Sequence, residues 1–141
     1  MYIDIVSYYM SIIFIVVMKK KVLIVEDNED SRSFMKFLVE GFGFQVVEAS
    51  DGIEALDRFK KYHPDIVLMD MSLPMVDGLI TTKAIRECDN TGRVLIIAIT
   101  AFGKSYYKQA IEAGCNDLIS KPLDVALLKS VLNSHLSPIS E

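Results

Sequence analysis

The sequence has few of the residues that mark disulfide-bonded, metal-thiolate or histidine-dependent proteins. It contains two cysteines, Cys88 and Cys115, whose spacing matches no metal-binding or redox motif. We therefore expect free thiols in a reducing cytosol and no disulfide. The two histidines, His63 and His135, are isolated in the sequence, and we assign neither of them a catalytic role.

A basic patch is also missing. The chain has 15 lysines and arginines against 19 aspartates and glutamates, and the basic residues are scattered over the predicted faces. Since nucleic-acid surfaces usually show as clustered basic residues, we expect no nucleic-acid partner. Internal repeats and low-complexity linkers are absent as well, and 141 residues suit one domain with a full hydrophobic core.

Residues 1–18 are almost entirely apolar and are followed by three lysines, 19–21. A cleaved signal peptide is disfavoured because the positive charges follow the apolar run and no small-residue cleavage site is present. A membrane anchor is a second interpretation, although the segment falls just under the ~20 residues of a spanning helix. The lysines would then place the following domain in the cytoplasm. We favour a third interpretation, in which the functional protein starts at Met18 and consists of a domain at 19–141.

Five short strands alternate with five helices after the lysines. Strands 22–25, 66–69 and 94–99 are apolar throughout, whereas 44–49 and 118–120 are more polar or shorter. Apolar strands suit the centre of a parallel sheet and the other two suit its edges. We therefore predict a doubly wound (βα)5 α/β sandwich with a parallel five-stranded sheet in the flavodoxin-like order 2-1-3-4-5. Right-handed crossovers place helices on both faces.

Helix boundaries are predicted from capping residues and from apolar spacing. Asn28 stands at the N-cap position of the first helix after the lysines. Phe34, Phe37 and Leu38 recur at helical spacing along that helix. One continuous helix is predicted over residues 104–113.

Polar residues follow four of the strands, at the ends that meet at one edge of a parallel sheet. They are Glu26, Asp27, Asp70, Thr100 and Lys121. Three carboxylates in one crevice repel each other unless a cation lies among them, and an all-oxygen acidic site suits Mg²⁺. An isolated aspartate after a strand usually only starts a loop, but five polar residues at one edge indicate a functional site.

The chemistry that this set suits is phosphoryl transfer. An aspartate such as Asp70 can attack phosphorus to form an acyl phosphate. The Lys121 ammonium and the Thr100 hydroxyl can bind phosphoryl oxygens, where most of the stabilisation in this reaction is needed.

Four motifs surround these residues: VLIVEDN at 22–28, LMDMSLPMVDG at 68–78, ITA at 99–101 and SKP at 120–122. Together they resemble the receiver domain of two-component response regulators, from residue 20 to about residue 136. The resemblance implies that Asp70 is the phosphoacceptor for a histidine kinase or a histidine phosphotransfer protein.

The resemblance also implies further roles around Asp70. Glu26, Asp27, Asp70 and the Met71 backbone carbonyl would hold Mg²⁺. Thr100 and Lys121 would contact the phosphoryl oxygens, and the Lys121–Pro122 peptide bond would be cis. Such a protein assists its own phosphorylation and slow autodephosphorylation and is not otherwise an enzyme.

Positions that tune the family's response differ here. Leu118 stands three residues before the lysine, where the family usually has the aromatic half of a threonine–aromatic switch. Tyr106 or Tyr107 would be a substitute, with exposed helix tyrosines as the plainer interpretation. Ser72 and Phe102 occupy positions that tune phosphoryl lifetime, and we predict that Phe102 shields the acyl phosphate from water.

Single positions in the sequence distinguish between the competing functions. A haloacid dehalogenase-type hydrolase needs an acid two residues after its nucleophile, where this chain has Ser72. A flavin-binding protein needs a phosphate-binding loop after the first strand, where this chain has acids. A phosphorylation-independent binding module stays open as the alternative, because Leu118 departs from the family pattern.

The resemblance also suggests partners. The last helix ends near the C-terminus, so we expect a stand-alone cytoplasmic receiver acting on an unknown downstream protein. Kinase docking in the family uses the first receiver helix and the loop after the fifth strand. The corresponding positions are Ser31, Arg32, Met35, Pro122 and Leu123.

Overall fold

The strands of the described residues form one parallel sheet. They are β1 (Lys21–Val25), β2 (Gln45–Ala49), β3 (Ile66–Asp70), β4 (Leu95–Thr100) and β5 (Asp117–Ser120). The sheet order is β2-β1-β3-β4-β5, which confirms the predicted topology and the two edge strands. The structure is a computed structural model, and it describes residues 4–73 and 77–136 of the chain.

The helices flank this sheet, apart from one that precedes it. They are α1 (Ile5–Met18), α2 (Glu29–Gly41), α3 (Gly52–Tyr62), α4 (Gly78–Cys88), α5 (Tyr107–Ala113) and α6 (Val125–Leu136). In the part of the chain that the structure describes, no helix combines the length and the apolar character needed to cross a membrane.

Two hydrophobic layers hold the sheet between helices. Alternate strand residues such as Val22 and Leu68 pack with Met35 and Val39 of α2 and with α6. The intervening strand residues pack with α3, α4 and α5 on the other face. This alternation follows from the two-residue period of a strand that is buried on both sides. The three-layer α/β sandwich is therefore confirmed.

The buried face of α2 differs from the predicted spacing. Phe34 and Phe37 are 52% and 74% exposed, whereas Met35 and Val39 are buried. Leu38 is half-buried. Phe34 and Phe37 are three residues apart and Met35 and Val39 are four apart, so helical spacing allows either pair to face the core. The way in which α2 approaches the sheet buries the second pair. The placement of Met35 on a kinase-docking surface is therefore wrong, because its side chain lies in the core.

The predicted helix at 104–113 is divided. Residues Gly103–Tyr106 form a 3₁₀ turn, and α5 begins at Tyr107. Neither segment has a side-chain N-cap hydrogen bond, and Gly103 has a φ of 68°. Without a capping residue the first turn tightens into the 3₁₀ form that is common at helix ends.

Candidate functional site

The polar residues at the carboxyl ends of the strands come together at one edge of the sheet. Glu26, Asp27 and Asp70 each offer a carboxylate oxygen, and these oxygens lie within 4.8 Å of one another. Glu26 and Asp70 are buried, with 3% and 4% exposure, whereas Asp27 is exposed. Lys121 Nζ lies 3.3 Å from Asp70 Oδ2 and 3.6 Å from Glu26 Oε1.

The parallel register explains why these residues meet. Val25 pairs with Met69, so Glu26 and Asp70 follow at the same level of the sheet. Asp70 in turn pairs with Ile99, one residue before Thr100. The Lys121 amide donates to the Thr100 carbonyl at 2.8 Å, which holds the residue after β5 beside β4. Because the ends of the parallel strands are aligned, residues that are far apart in the sequence lie together in one cluster.

The electrostatics of the cluster are dominated by its carboxylates. Burial raises the pKa of Glu26 to about 7, with a further contribution from the neighbouring Asp70, while Lys121 opposes the rise. Burial alone would lower the pKa of Lys121, but the charges of Asp70 and Glu26 raise it. Three carboxyl groups and the single Lys121 ammonium thus leave an excess of negative charge at this edge when the carboxyl groups are ionised.

This cluster fits a small divalent cation. Glu26 Oε2 is buried and has no hydrogen-bond partner among the described residues. A buried, unpartnered carboxylate oxygen is costly unless a cation or a proton satisfies it. Carboxylates with one open, solvent-facing side suit Mg²⁺, which keeps several waters. The acidic cluster is thus compatible with metal binding.

The backbone around Asp70 is fixed by the start of α4. Asp70 Oδ1 accepts a hydrogen bond from the Ser72 amide at 3.0 Å, and the Ser72 side chain is exposed. The Gly78 amide donates to the Met71 carbonyl at 3.4 Å. A Cβ on Gly78 would lie 2.5 Å from the Asp70 carbonyl oxygen. Only glycine fits this contact, a role that the turn signal in the sequence did not reveal. Residues 74–76 of the motif lie outside the described residues.

Aromatic side chains stand beside Thr100. The buried Thr100 hydroxyl accepts a hydrogen bond from the Phe102 amide at 3.0 Å. The Phe102 ring is 56% exposed and contacts Tyr106, with ring centroids 5.3 Å apart. Tyr106 and Leu118 are half-buried against the same hydrophobic cluster, whereas Tyr107 is 51% exposed. Tyr106 therefore packs against the cluster that Leu118 also touches, whereas Tyr107 lies largely in solvent.

The loop after β5 carries the remaining candidates. The Lys121–Pro122 peptide bond is cis. Pro122 is exposed, and Leu123 is half-buried against the cluster that contains α6.

Arg32 supports the site in a way that the sequence did not reveal. Its Nη1 donates to the Glu26 carbonyl oxygen at 3.0 Å, and its Nε lies 3.4 Å from Glu48 Oε1. Lys36 Nζ also pairs with Glu48 at 3.4 Å. Arg32 thus joins α2 to the end of β1 and to β2, so its guanidinium is held by contacts within the chain. The neighbouring Ser31 is exposed.

Sequence comparisons relate the chain to one protein family. A family model described as the response regulator receiver domain matches residues 22–133. The polar-differentiation response regulator DivK of Brucella ovis is 38% identical over 120 residues, covering 84% of this chain and 98% of the relative. The protein of the same name from Brucella anthropi shows the same identity and coverage.

Solved structures share the fold. The receiver domain of sensor histidine kinase PA1611 from Pseudomonas aeruginosa has a TM-score of 0.77 and 32% identity, covering 85% of this chain and 99% of that one. That structure has a magnesium ion coordinated in its active site cleft. Vibrio cholerae chemotaxis protein CheY4 has a TM-score of 0.78 and 25% identity, covering 84% and 99%. With the family match and these relatives, the chain belongs to the response regulator receiver domain family of two-component signalling proteins.

Proposed function

We propose that the protein is a phosphoacceptor response regulator in which Asp70 takes a phosphoryl group from a histidine kinase or a histidine phosphotransfer protein. The observation that carries the proposal is the position of Lys121 Nζ, 3.3 Å from Asp70 Oδ2 and beside three clustered carboxylates. A buried carboxylate next to a cation, at an edge open to solvent, is suited to attack on a phosphoryl group.

Asp70 attacks with one oxygen while the other is held. Oδ1 accepts the Ser72 amide hydrogen, which orients the carboxylate. We assign Oδ2, the oxygen nearer the Lys121 ammonium, as the nucleophile. An O–P bond forms at Oδ2 as the P–N bond to the donor imidazole breaks, and the imidazole leaves with the electron pair of that bond. The protein thereby assists its own phosphorylation and, with water as the attacking group, its slow dephosphorylation.

Magnesium completes the site in this proposal. Glu26, Asp27, Asp70 and the Met71 carbonyl would hold Mg²⁺, which supplies the positive charge that offsets repulsion between the carboxylates and the phosphoryl oxygens. The unpartnered Glu26 Oε2 supports this assignment. So does the magnesium ion in the receiver domain of PA1611.

Thr100 and Lys121 stabilise the transferred group. The Thr100 oxygen accepts the Phe102 amide hydrogen, so its own hydroxyl proton is left to donate to a phosphoryl oxygen. Lys121 exchanges its ion pair with Asp70 for one with the phosphoryl group. Both interactions strengthen as negative charge builds on the transferring oxygens.

The output of this switch is a change in protein contacts in the cytoplasm. Ser72, whose amide donates to Asp70, and Phe102, whose amide donates to Thr100, tune how long the phosphoryl group survives. Leu118 takes the place of the family's aromatic residue, which keeps phosphorylation-independent binding as a second candidate. Beryllofluoride with Mg²⁺ mimics the acyl phosphate. A change of more than a few-fold in partner affinity supports the switch, and unchanged affinity supports the second candidate.

Acetyl phosphate labelling of Asp70→Asn tests the nucleophile. The wild-type chain should gain one phosphoryl group in the presence of Mg²⁺, whereas the variant should gain none and keep its circular dichroism spectrum. Asp57→Asn is the matched control, because Asp57 is an exposed aspartate on α3 and should be labelled like the wild type. Persistent labelling of the Asp70 variant would assign the nucleophile to another residue.

A further inference from the structure

Helix α1 is an apolar helix whose described side chains, those of residues 5–14, take no part in the receiver core. Its large apolar side chains over residues 5–14 are all between 41% and 70% exposed. They are Ile5, Val6, Tyr8, Tyr9, Met10, Ile12, Ile13 and Phe14. The two hydrophobic layers of the sheet are filled by other helices. The exposed surface of α1 is therefore not explained by packing within the domain.

The apolar side chains surround most of the helix. At ~100° per residue, those of residues 5–14 leave one sector of about a third of the circumference, which Ser7 and Ser11 occupy. The Ser11 hydroxyl donates to the Ser7 carbonyl at 2.9 Å, so it is satisfied inside the helix. A helix that is apolar nearly all round is found in a protein core or in lipid.

Charges stand at both ends of α1. Asp4 Oδ1 accepts the Val6 amide hydrogen at the start, and the exposed Lys19 and Lys20 follow the end. The 14-residue helix is ~21 Å long at ~1.5 Å per residue, well short of a bilayer core of ~30 Å. In a bilayer, the two charged ends of such a helix could not reach opposite headgroup layers, so both would lie in the same layer.

We propose that α1 lies in the headgroup–acyl boundary of an anionic lipid bilayer, parallel to its surface, with Ser7 and Ser11 toward water. Lys19 and Lys20 pair with anionic headgroups, and Tyr8, beside the serine side of the helix, lies at the depth that favours aromatic side chains with a polar tip. The proposal does not rest on phosphorylation of Asp70, and it requires that residues 1–17 belong to the functional protein, in place of the start at Met18 favoured from the sequence alone. It would hold the receiver domain at a membrane surface.

A second copy of the chain fits α1 less well. A partner helix covers one stripe of α1 and leaves the opposite apolar side in water, whereas lipid covers the whole apolar arc. Parallel pairing would also bring the lysines of the two copies together, and like charges at that distance repel. Lipid is therefore the occupant that matches both the apolar arc and the charges.

Vesicle flotation of the full chain tests the proposal, because aggregated protein sediments and does not float. The full chain should float with phosphatidylcholine vesicles that contain phosphatidylglycerol. Ile13→Asp should lower the bound fraction about tenfold or more, since an apolar contact with lipid is replaced by a charge. Lys19→Gln and Lys20→Gln should each weaken binding about fivefold on anionic vesicles.

Ile53→Asp is the matched control, because Ile53 is 57% exposed on α3, outside α1. It should float like the wild type. Three results would overturn the proposal: no flotation of the full chain, equal loss with the Ile53 variant, or equal flotation on vesicles without phosphatidylglycerol. A dimer in solution that fails to float would assign α1 to a second copy instead.

Discussion

Replacing Glu26 by glutamine should stabilise the protein at pH values at which the Glu26 carboxyl group would otherwise be ionised. Glu26 is buried beside Asp70, and its Oε2 has no hydrogen-bond partner among the described residues. Glu26→Gln keeps the shape of the side chain and removes the charge. The gain in the free energy of unfolding should therefore appear only at pH values where the wild-type carboxyl has lost its proton.

The magnitude follows from the pKa of Glu26. Its ordinary value is 4.5, and burial with the neighbouring Asp70 raises it to about 7 in the folded chain. The folded protein thus holds this proton more tightly than the unfolded chain does. The favourable contribution is complete below pH 4.5, declines between pH 4.5 and about 7, and is lost above that value. At about 1.4 kcal/mol per unit, the loss reaches about 3 kcal/mol.

With magnesium bound, the wild type should become more stable than Glu26→Gln at high pH. A metal ligand must be ionised, so Mg²⁺ competes with the proton on Glu26. At pH 8 and about 100 times the dissociation constant, Mg²⁺ should stabilise the wild type by about 2.7 kcal/mol. Glu26→Gln should gain much less, because a neutral amide replaces one of the three carboxylates.

Urea unfolding followed by circular dichroism measures both effects, at pH 5 and pH 8 and with EDTA or Mg²⁺. Glu40→Gln is the control, since Glu40 is exposed on α2 and should show neither effect. A Glu26 variant that is no more stable than wild type at pH 8 in EDTA would refute the reasoning. So would a difference that is the same at both pH values.

Three further substitutions test the surroundings of the site. Gly78→Ala should destabilise the fold by about 1–3 kcal/mol in urea unfolding, because its Cβ would lie 2.5 Å from the Asp70 carbonyl oxygen. Arg32→Met should weaken Mg²⁺ binding about tenfold in a fluorescence titration, because it removes the hydrogen bond to the Glu26 carbonyl. Phe102→Ala should shorten the half-life of the phosphoryl group in a label-decay assay, and an unchanged half-life would disprove the shielding role.

Two controls separate these effects from general destabilisation. Gly41→Ala should not destabilise the fold, because nothing lies within 4 Å of the added Cβ and alanine favours the helix. Arg32→Lys keeps the charge but lacks the planar fork, so it should recover Mg²⁺ affinity only in part. Full recovery with lysine would mean that the site does not need the guanidinium fork, which contacts the Glu26 carbonyl and Glu48 at the same time.

The sheet could be predicted because a strand that is buried on both faces appears in the sequence as an unbroken apolar run. The runs that became β1, β3 and β4 are unbroken in apolar residues, and the more polar or shorter ones became the edges β2 and β5. The positions of Glu26, Asp70, Thr100 and Lys121 followed, since parallel strands end at a common edge. Helix faces were less certain: spacing alone does not distinguish Phe34 and Phe37 from Met35 and Val39.

The contacts of Arg32 and Gly78 with the site could not be predicted from the spacing of residues in the sequence. They depend on where a long side chain or a backbone segment lies in the folded chain. Arg32 reaches the Glu26 carbonyl from the second turn of α2, and no motif specifies that path. The contact between Gly78 and the backbone of Asp70 depends on how the start of α4 approaches β3. Such contacts arise from packing of whole elements, so they appear only once the elements are placed.

Leu118 stands where the family usually has an aromatic residue, and other aromatic side chains lie beside Thr100 in this structure. The Thr100 oxygen accepts the Phe102 amide hydrogen, and the Phe102 ring contacts Tyr106. Tyr106 packs against the hydrophobic cluster that Leu118 also touches. A shift of Thr100 toward a phosphoryl oxygen would strain its hydrogen bond with Phe102, whose ring lies against Tyr106 at an interplanar angle of 40°. Phe102 and Tyr106 thus form a series of contacts between Thr100 and the hydrophobic cluster that Leu118 touches, without a ring at position 118.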